Sequence, residues 1–191
     1  MEFGASGFLC WFRAISFFRG WGGRCLVDDF RPGSVRLGFS GVGIFDKRYD
    51  RGIWECDGEV EFKGKASLGQ GTKISVGTDG RLVVGNNFRV TAKSEIICCE
   101  KVEIGDDVLM SWDSIVMDTD FHQIDDGPRK APVSIGDGAW VGMRTTILKG
   151  SVIPAGSVIA AEFTMTKAFD EERCLYGGVN RVLKHDVEWT I

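Results

Sequence analysis

The chain is short of the residues that several common sites require. It has 191 residues with only two histidines and four prolines, and none of its six cysteines forms a C-x-x-C pair. A zinc ribbon and a thioredoxin-type redox motif are therefore excluded. Glycine, in contrast, occurs 26 times, about twice its usual share. Many glycines without proline enrichment indicate tight backbone corners instead of a flexible linker.

Basic residues and long apolar runs are also scarce. The formal net charge is −4 and the isoelectric point is near 5.3. A generic nucleic-acid binder needs a basic surface that displaces counterions, so this class is excluded. No uninterrupted apolar run approaches the ~20 residues of a membrane-spanning helix. No G-x-G-x-x-G motif is present, and the length leaves no room for a nucleotidyltransferase domain beside a second domain.

The first 34 residues form an aromatic, glycine-rich segment. Within it, Phe8–Trp21 (FLCWFRAISFFRGW) interleaves aromatic residues with Arg13 and Arg19. Such a pattern is found in helices that lie on a membrane surface and in segments that pack on their own domain or on a sister subunit. We expect packing, with weak membrane-surface association as the alternative. The opening MEFGASG lacks the basic start of a secretory signal, so we expect a cytoplasmic protein with reduced thiols.

Large apolar residues recur at every sixth position through the middle of the chain. The longest run is Ile135, Val141, Ile147, Ile153 and Ile159, and the same spacing joins the triplets Phe62–Leu68–Ile74, Val84–Val90–Ile96 and Ile104–Met110–Val116. Small residues follow four of these anchors, at Ala139, Thr145, Ser151 and Ser157. A period of six fits neither a helix nor a simple hairpin. It predicts a parallel β-helix, in which three hexads close one triangular coil; a β-sandwich with less regular turns is the alternative.

One of the two histidines interrupts this repeat. His122 lies six residues after Val116, where the next inward anchor is expected, and the polar stretch His122–Ser134 separates it from Ile135. A histidine at the root of a loop on a rigid coil is well placed for catalysis. Its ordinary pKa suits proton abstraction near neutrality. The alternative is that His122 only satisfies a loop carbonyl. The second histidine, His185, is predicted to be a surface residue.

Three stretches of the chain together resemble one known family. They are IGDDVLMSWDSIVMDTDFH (Ile104–His122), VSIGDGAWVGMRTTILKG (Val133–Gly150) and VIAAEFTMTK (Val158–Lys167). They resemble the hexapeptide-repeat acyltransferases, above all the maltose/galactoside acetyltransferases and the O-acetyltransferases of capsule, O-antigen and other surface polysaccharides. The resemblance implies a mainly β protein, a left-handed parallel β-helix over residues 35–169 with an excursion loop. A short helical tail over residues 170–191 is expected to pack on it.

The resemblance also implies the chemistry. His122 would take the proton of an acceptor hydroxyl as that oxygen attacks the thioester of acetyl-CoA, and the acetyl group would pass directly, without an acyl-enzyme. A backbone amide, of Gly142 or Met143, would stabilise the oxyanion. The second ring nitrogen needs an orienting acceptor. The candidates for that role, or for the acceptor side, are Trp112, Asp113, Asp118 and Asp120.

A binding site for acetyl-CoA, the acyl donor, follows from the same resemblance. Its predicted residues are Trp140, Gly142, Met143 and Ala161 near the pantetheine arm, Thr166 and Lys167 near the nucleotide, and Arg181 and Lys184 near the phosphates. The tail departs from the family pattern, because GGVNR (Gly177–Arg181) lacks the proline of the usual GGxPA and is one residue shorter. No metal is expected, since two histidines do not supply the His₃ site of the zinc-dependent γ-class carbonic anhydrases that share the fold.

Three functions remain after this sequence analysis. The first is a cytoplasmic O-acetyltransferase, a homotrimer with active sites between subunits, acting on a sugar or a polysaccharide precursor. The second is an N-acetyltransferase of an amino sugar or a small amine, for which the same histidine would serve. The third is a non-catalytic β-helix scaffold, which would bind no CoA and would not depend on His122. The residues do not name the acceptor.

Overall fold

Three sheets form the faces of a prism, and the chain passes from one face to the next at each corner. The computed structural model describes residues 2–3, 11–12, 15–19, 22–28, 31–39, 42–46 and 48–190. Every element in these ranges is a β-strand, and they include no helix long and apolar enough to cross a membrane. Parts of the aromatic segment, residues 8–10, 13–14 and 20–21, lie outside the described residues.

From β1 to β21, the strands follow one another from sheet A to sheet B to sheet C and back to sheet A. Sheet A contains β1 (Glu2–Phe3), β4 (Arg24–Val27), β7 (Glu59–Phe62), β10 (Arg81–Val84), β13 (Lys101–Ile104), β16 (Val133–Ile135) and β19 (Val152–Ile153). Sheet B contains β2 (Trp11–Phe12), β5 (Val35–Leu37), β8 (Ala66–Gln70), β11 (Phe88–Ala92), β14 (Leu109–Met110), β17 (Trp140–Val141), β20 (Val158–Ile159), β22 (Leu175–Gly177) and β23 (Arg181–Lys184). Sheet C contains β3 (Ile15–Arg19), β6 (Gly52–Cys56), β9 (Lys73–Val76), β12 (Glu95–Cys98), β15 (Ile115–Met117), β18 (Thr146–Ile147) and β21 (Thr164–Met165).

Parallel pairing in register joins each coil to the next. In sheet A, β10 lies between β7 and β13, so that Leu82 is aligned with Val60 on one side and with Val102 on the other. Among the described strand pairs, only β1–β4 and β22–β23 are antiparallel. Within the aromatic segment, β2 pairs with β5 and β3 pairs with β6. The described residues of this segment therefore form strands and not the membrane-surface helix that was the alternative.

The core is a stack of the predicted anchors. All fourteen are at most 3% exposed. Register places them directly over one another, as in the column Leu68, Val90, Met110, Val141 and Ile159 of sheet B. The four small residues that follow the anchors are fully buried as well. The hexapeptide prediction is therefore confirmed, and removal of these apolar surfaces from water stabilises the prism.

The corner between sheets B and C repeats one backbone conformation in each coil. Its residues Gly71, Lys93, Asp113, Arg144 and Glu162 all have φ between +52 and +73°. This left-handed conformation lets the chain change direction within a few residues. Just after it, the buried hydroxyls of Ser94, Ser114 and Thr145 donate to carbonyls one coil further on, at 2.8, 2.9 and 3.1 Å. These bonds fix the corner in the three coils that carry Ser94, Ser114 and Thr145.

An excursion loop leaves the corner between sheets C and A. It begins at Thr119, three residues before the predicted start at His122, because Thr119 pairs with Lys130 in an antiparallel bridge. The next pair is held by a 3.0 Å hydrogen bond from the Asp120 amide to the Arg129 carbonyl. The chain has therefore already left the coil when it reaches His122, which lies three residues beyond the start of the loop.

Asp118 anchors the root of this loop to the preceding coil. Its carboxylate is fully buried. Its two oxygens accept hydrogen bonds from the amides of Cys99, Glu100 and Lys101, at 2.7, 2.8 and 2.7 Å. Charge-assisted bonds of this kind are stronger than bonds between neutral groups. These hydrogen bonds fix the position of the loop relative to the β-helix.

The predicted helical tail is wrong. Residues Leu175–Gly177 and Arg181–Lys184 form the antiparallel hairpin β22–β23, which extends sheet B. The turn between them contains Gly178 and Asn180, with φ of +61 and +45°. Glycine and asparagine adopt positive φ more readily than other residues, so this turn favours a hairpin over a helix.

We expect the substitution Asp118→Ala to destabilise the fold strongly. It leaves three amides without their acceptor in a buried corner, which should cost at least about 3 kcal/mol of unfolding free energy. Urea denaturation measures the loss. The matched control is Asp126→Ala on the exposed part of the same loop, which should change stability by less than about 0.5 kcal/mol. Equal stability of the two variants would contradict the anchoring role of Asp118.

Candidate functional site

His122 lies on the exposed part of the excursion loop. The residue before it, Phe121, has φ of +59°, and its amide donates to the Thr119 hydroxyl at 2.9 Å. A non-glycine residue in this conformation is held there by its surroundings. The backbone therefore turns outward just before the imidazole and presents it to solvent. A histidine so placed can exchange protons with a bound substrate.

Two lysines brace the loop, and sequence analysis did not select either of them. Lys149, one coil further on, places its ammonium 3.0 Å from the Asp120 carboxylate and 2.5 Å from the Pro128 carbonyl. Lys130 donates to the Cys99 carbonyl at 2.8 Å. The Asp120 carboxylate is thus engaged by a lysine, as that of Asp118 is engaged by amides. No local sequence pattern predicts the hydrogen bonds of these lysines or of Asp118, because the bonded residues are 17 or more positions apart in the chain.

A second group of predicted residues lies on the corner between sheets B and C. Trp112, Met143 and Ala161 occupy equivalent positions in three successive coils. The amides of Met143 and Ala161 donate to no acceptor among the described residues, whereas the Gly142 amide donates to the Ile159 carbonyl at 2.9 Å. Of the two predicted oxyanion donors, the amide of Met143 is therefore the one that points to no protein partner.

Gly142 allows this corner to pack closely. A Cβ atom there would lie 2.6 Å from the Ala161 amide nitrogen and 2.7 Å from the Ile159 carbonyl oxygen. Real Cβ contacts are longer than this, so only glycine fits without a backbone shift. The lack of a side chain at Gly142 thus allows the adjacent coils that carry the Met143 and Ala161 amides to pack closely.

Trp140 projects outward from sheet B, next to this corner. Its indole Nε1 donates to the Ser111 hydroxyl at 3.0 Å. Its ring centroid lies 5.7 Å from that of Trp189, whose own Nε1 donates to the Gly138 carbonyl at 2.8 Å. The C-terminal tail therefore covers part of the surface predicted to face the pantetheine arm. Trp189 was not selected from the sequence.

A second excursion reaches the same corner. Residues 38–51 separate β5 from β6, and Phe45 in this segment packs edge-on against Trp112, with ring centroids 6.4 Å apart. The Lys93 ammonium lies 5.3 Å from the Phe45 ring centroid and 3.9 Å from the Asp113 carboxylate. Sequence analysis missed this contribution. Its signal is the gap in the hexad pattern between Leu37 and the buried Trp54.

The residues predicted for the nucleotide end of CoA lie at the C-terminal end of the prism. Thr166 and Lys167 are exposed, as are Arg181 and Lys184 of β23. Asn180 joins the two segments, because its side-chain amide donates to the Thr166 hydroxyl at 3.1 Å. The Lys167 ammonium lies 5.1 Å from the Phe169 ring centroid. Exposed cations around one end of the coil suit a polyphosphate.

The buried thiols are poor nucleophiles. Burial, aided by the Asp118 carboxylate, raises the pKa of Cys98 to about 12. Burial and Asp57 raise the pKa of Cys56 to about 11. A thiol with such a pKa is neutral near pH 7 and does not attack a thioester. The described cysteines form no disulfide with one another, and Cys10 lies outside the described residues.

A single chain does not bring the predicted base and the free amides together. His122 belongs to the corner between sheets C and A, and Met143 and Ala161 belong to the corner between sheets B and C. The whole width of sheet C separates the two edges. Trp112 and Asp113 are likewise on the second edge, remote from the loop that carries His122.

Comparison with known proteins gives sequence and structural relatives, although no family model matches the chain. A probable acetyltransferase of Mycobacterium tuberculosis is 32% identical over 115 residues, which are 56% of this chain and 38% of that protein. An uncharacterized 24.8 kDa protein in the cps region of Klebsiella pneumoniae is 26% identical over 136 residues, 69% of this chain and 61% of that protein. The chain thus spans less than two thirds of the length of either relative.

Among solved structures, the polySia-specific acetyltransferase NeuO is similar with a TM-score of 0.57. The match has 21% sequence identity and covers 91% of this chain and 71% of NeuO. It establishes the fold as a left-handed parallel β-helix, a hand opposite to that of nearly all parallel crossovers. The resemblance to hexapeptide-repeat acyltransferases predicted from the sequence is confirmed, and the chain has their fold.

Proposed function

We propose that this protein is an O-acetyltransferase that transfers the acetyl group of acetyl-CoA to a hydroxyl of a sugar or a surface-polysaccharide precursor. The observation that carries the proposal is the exposed His122 on a loop that Asp118 and two lysines fix to a hexapeptide β-helix. The sequence similarity to a probable acetyltransferase and the fold shared with a polysialic-acid acetyltransferase support it.

The reaction needs one base and one oxyanion donor. A ring nitrogen of His122 accepts the proton of the acceptor hydroxyl as its oxygen attacks the thioester carbonyl carbon. The tetrahedral oxyanion accepts a hydrogen bond from the Met143 amide, which has no acceptor among the described residues. The carbon–sulfur bond then breaks, and the imidazolium returns its proton to the leaving CoA sulfur. The ester and free CoA are the products.

The corner between sheets B and C is the proposed seat of the pantetheine arm. The arm carries amides, which need donors and acceptors at fixed spacing, and the amides of Met143 and Ala161 lie on adjacent coils about 4.8 Å apart. Trp140 supplies an aromatic wall beside them. The cations Lys167, Arg181 and Lys184 and the Thr166 hydroxyl would face the nucleotide and its phosphates. Free thiols favour a reducing compartment, so we place the reaction in the cytoplasm.

A second copy of the chain would complete the site. Because His122 and the Met143 amide lie on opposite edges of sheet C, one thioester carbonyl does not reach both in a single chain. In a ring of three prisms, the loop of one copy can meet the B–C corner of the next, and the ring closes by symmetry. We therefore propose a homotrimer with acetyl-CoA held between neighbouring copies.

The substitution His122→Ala should lower the turnover by at least about 100-fold, the usual contribution of a general base. Transfer of isotopically labelled acetyl from acetyl-CoA is measured with polysialic acid, neutral oligosaccharides and amino sugars as acceptors. Stability should stay within about 0.5 kcal/mol, since His122 is exposed. The matched control, Gln123→Ala on the same exposed loop, should keep full turnover.

Near-normal turnover of the His122→Ala variant would remove this residue from the mechanism. Labelling of amines and not of hydroxyls would make the protein an N-acetyltransferase. Wild-type protein that transfers no acetyl group and binds no acetyl-CoA would support a scaffold.

The substitution Lys167→Glu should weaken acetyl-CoA binding about tenfold, because it reverses a charge near the phosphates. Isothermal titration calorimetry measures the dissociation constant without knowledge of the acceptor. Lys65→Glu is the control: it changes the net charge equally, but Lys65 precedes β8, which is six strands away from β23 in sheet B. Equal weakening by both variants would show a general charge effect and would contradict a phosphate site at Lys167.

A further inference from the structure

Three side chains that the proposed reaction does not use converge at the C-terminal end of the prism. The Nδ1 atom of His185 lies 3.0 Å from Oε2 of Glu171 and 3.4 Å from Sγ of Cys174. The sulfur and the carboxylate oxygen are 4.0 Å apart. One nitrogen, one sulfur and one oxygen donor thus surround a single point.

This arrangement does not fit a proton relay. In a nucleophile–histidine–acid triad, the two partners contact different ring nitrogens, so that one proton is received while another is held. Here the thiol and the carboxylate both face Nδ1. The three atoms therefore face one another around one point, where a single cation could contact all of them.

The spacing matches that of ligands around a tetrahedral divalent metal. Zinc bonds of about 2.3 Å to sulfur and 2.0–2.1 Å to nitrogen and oxygen place tetrahedral ligand atoms roughly 3.3–3.6 Å apart. The three observed separations are 3.0, 3.4 and 4.0 Å and bracket this range. Cysteine, histidine and carboxylate are also the ligand types that zinc prefers.

The surroundings favour a cation and hold the ligands in place. The Cys174 side chain is buried, and the Glu171 carboxylate oxygen lies 4.0 Å from its sulfur. The negative charge of this carboxylate attracts a positive ion. The Tyr176 hydroxyl donates to the Glu171 backbone carbonyl, and the Ser157 hydroxyl accepts from the Cys174 amide. Two of the three ligands are therefore preorganised by the last coil.

We propose that Glu171, Cys174 and His185 form a binding site for a zinc-type divalent cation. Water occupies the fourth position, because Glu171 and His185 face solvent. Binding releases the thiol proton of Cys174 to solvent and involves no change of oxidation state. The site lies apart from His122, and none of its three side chains takes a step in the proposed acetyl transfer.

The bound ion would fasten the C-terminal tail to the prism. Glu171 and Cys174 belong to the last coil, and His185 directly follows β23. Beyond it, the Val187 amide donates to the Arg173 carbonyl at 2.8 Å, and Trp189 then reaches Trp140. A cation bound to His185 would therefore fix the position at which the tail crosses sheet B. This gives the cation a structural role.

Cobalt(II) is the probe, since tetrahedral cobalt with a thiolate ligand has intense visible bands and an ultraviolet sulfur-to-metal charge-transfer band. We expect the purified full chain to bind one Co²⁺ with both bands and Zn²⁺ to displace it. His185→Ala removes an exposed side chain and should keep the fold. It should weaken Co²⁺ binding by more than the ~10–100-fold cost of losing an outer-sphere partner.

Two further variants complete the test. Cys174→Ser should abolish the charge-transfer band, and the control Cys99→Ser, which alters a partly exposed thiol away from the cluster, should leave it unchanged. Loss of the band in Cys99→Ser, persistence of the band in Cys174→Ser, or absence of Co²⁺ binding would overturn the proposal. None of these outcomes bears on acetyl transfer, because the readout is the metal spectrum alone.

Discussion

Hydrogen bonds between successive coils are the interaction on which the rest of this structure depends. They hold each strand in register with the strand one turn earlier, so an apolar side chain that points inward meets another of its kind, as Leu68, Val90 and Met110 do. The register also aligns the corners, where left-handed residues and buried hydroxyls recur. Such a frame leaves the corners as the places where chain can be inserted. The loop 119–130 and the described part of residues 38–51 both leave from corners, and both carry residues of the candidate site.

The stack of β-helical coils could be predicted from the sequence, because the hexad pattern that produces it is local. An anchor at every sixth position needs no knowledge of distant residues, and all fourteen anchors are buried as expected. The loop was harder to place, because its start depends on the pairing of Thr119 with Lys130 and on amides 17 to 19 positions before Asp118. Only these long-range contacts define where the loop begins. The prediction of a helical tail was wrong for a similar reason. The hairpin forms because β22 pairs with β20 in sheet B, and this tertiary contact overrides any helical preference.

For the candidate site, the sequence nominates residues but does not indicate how they are arranged. Met143 and Ala161 lie where the hexad register puts them, whereas His122 lies on a loop that has left the coil, and the three residues belong to two edges of sheet C. The supporting residues Lys130, Lys149 and Phe45 carry no motif of their own. The proposed metal clip shows the same limit, since Cys174 and His185 are eleven positions apart and meet only because the hairpin turns back.

Mixed trimers test the central claim most directly, namely that His122 of one copy acts with the B–C corner of the next. His122→Ala and Met143→Pro, which removes the free amide, should each abolish acetyl transfer in homotrimers. Co-expressed in equal amounts and purified through two tags, they should recover about a third of the wild-type activity, since each mixed trimer has one interface in three that pairs an intact loop with an intact corner. Mixed trimers without any activity would contradict a shared site.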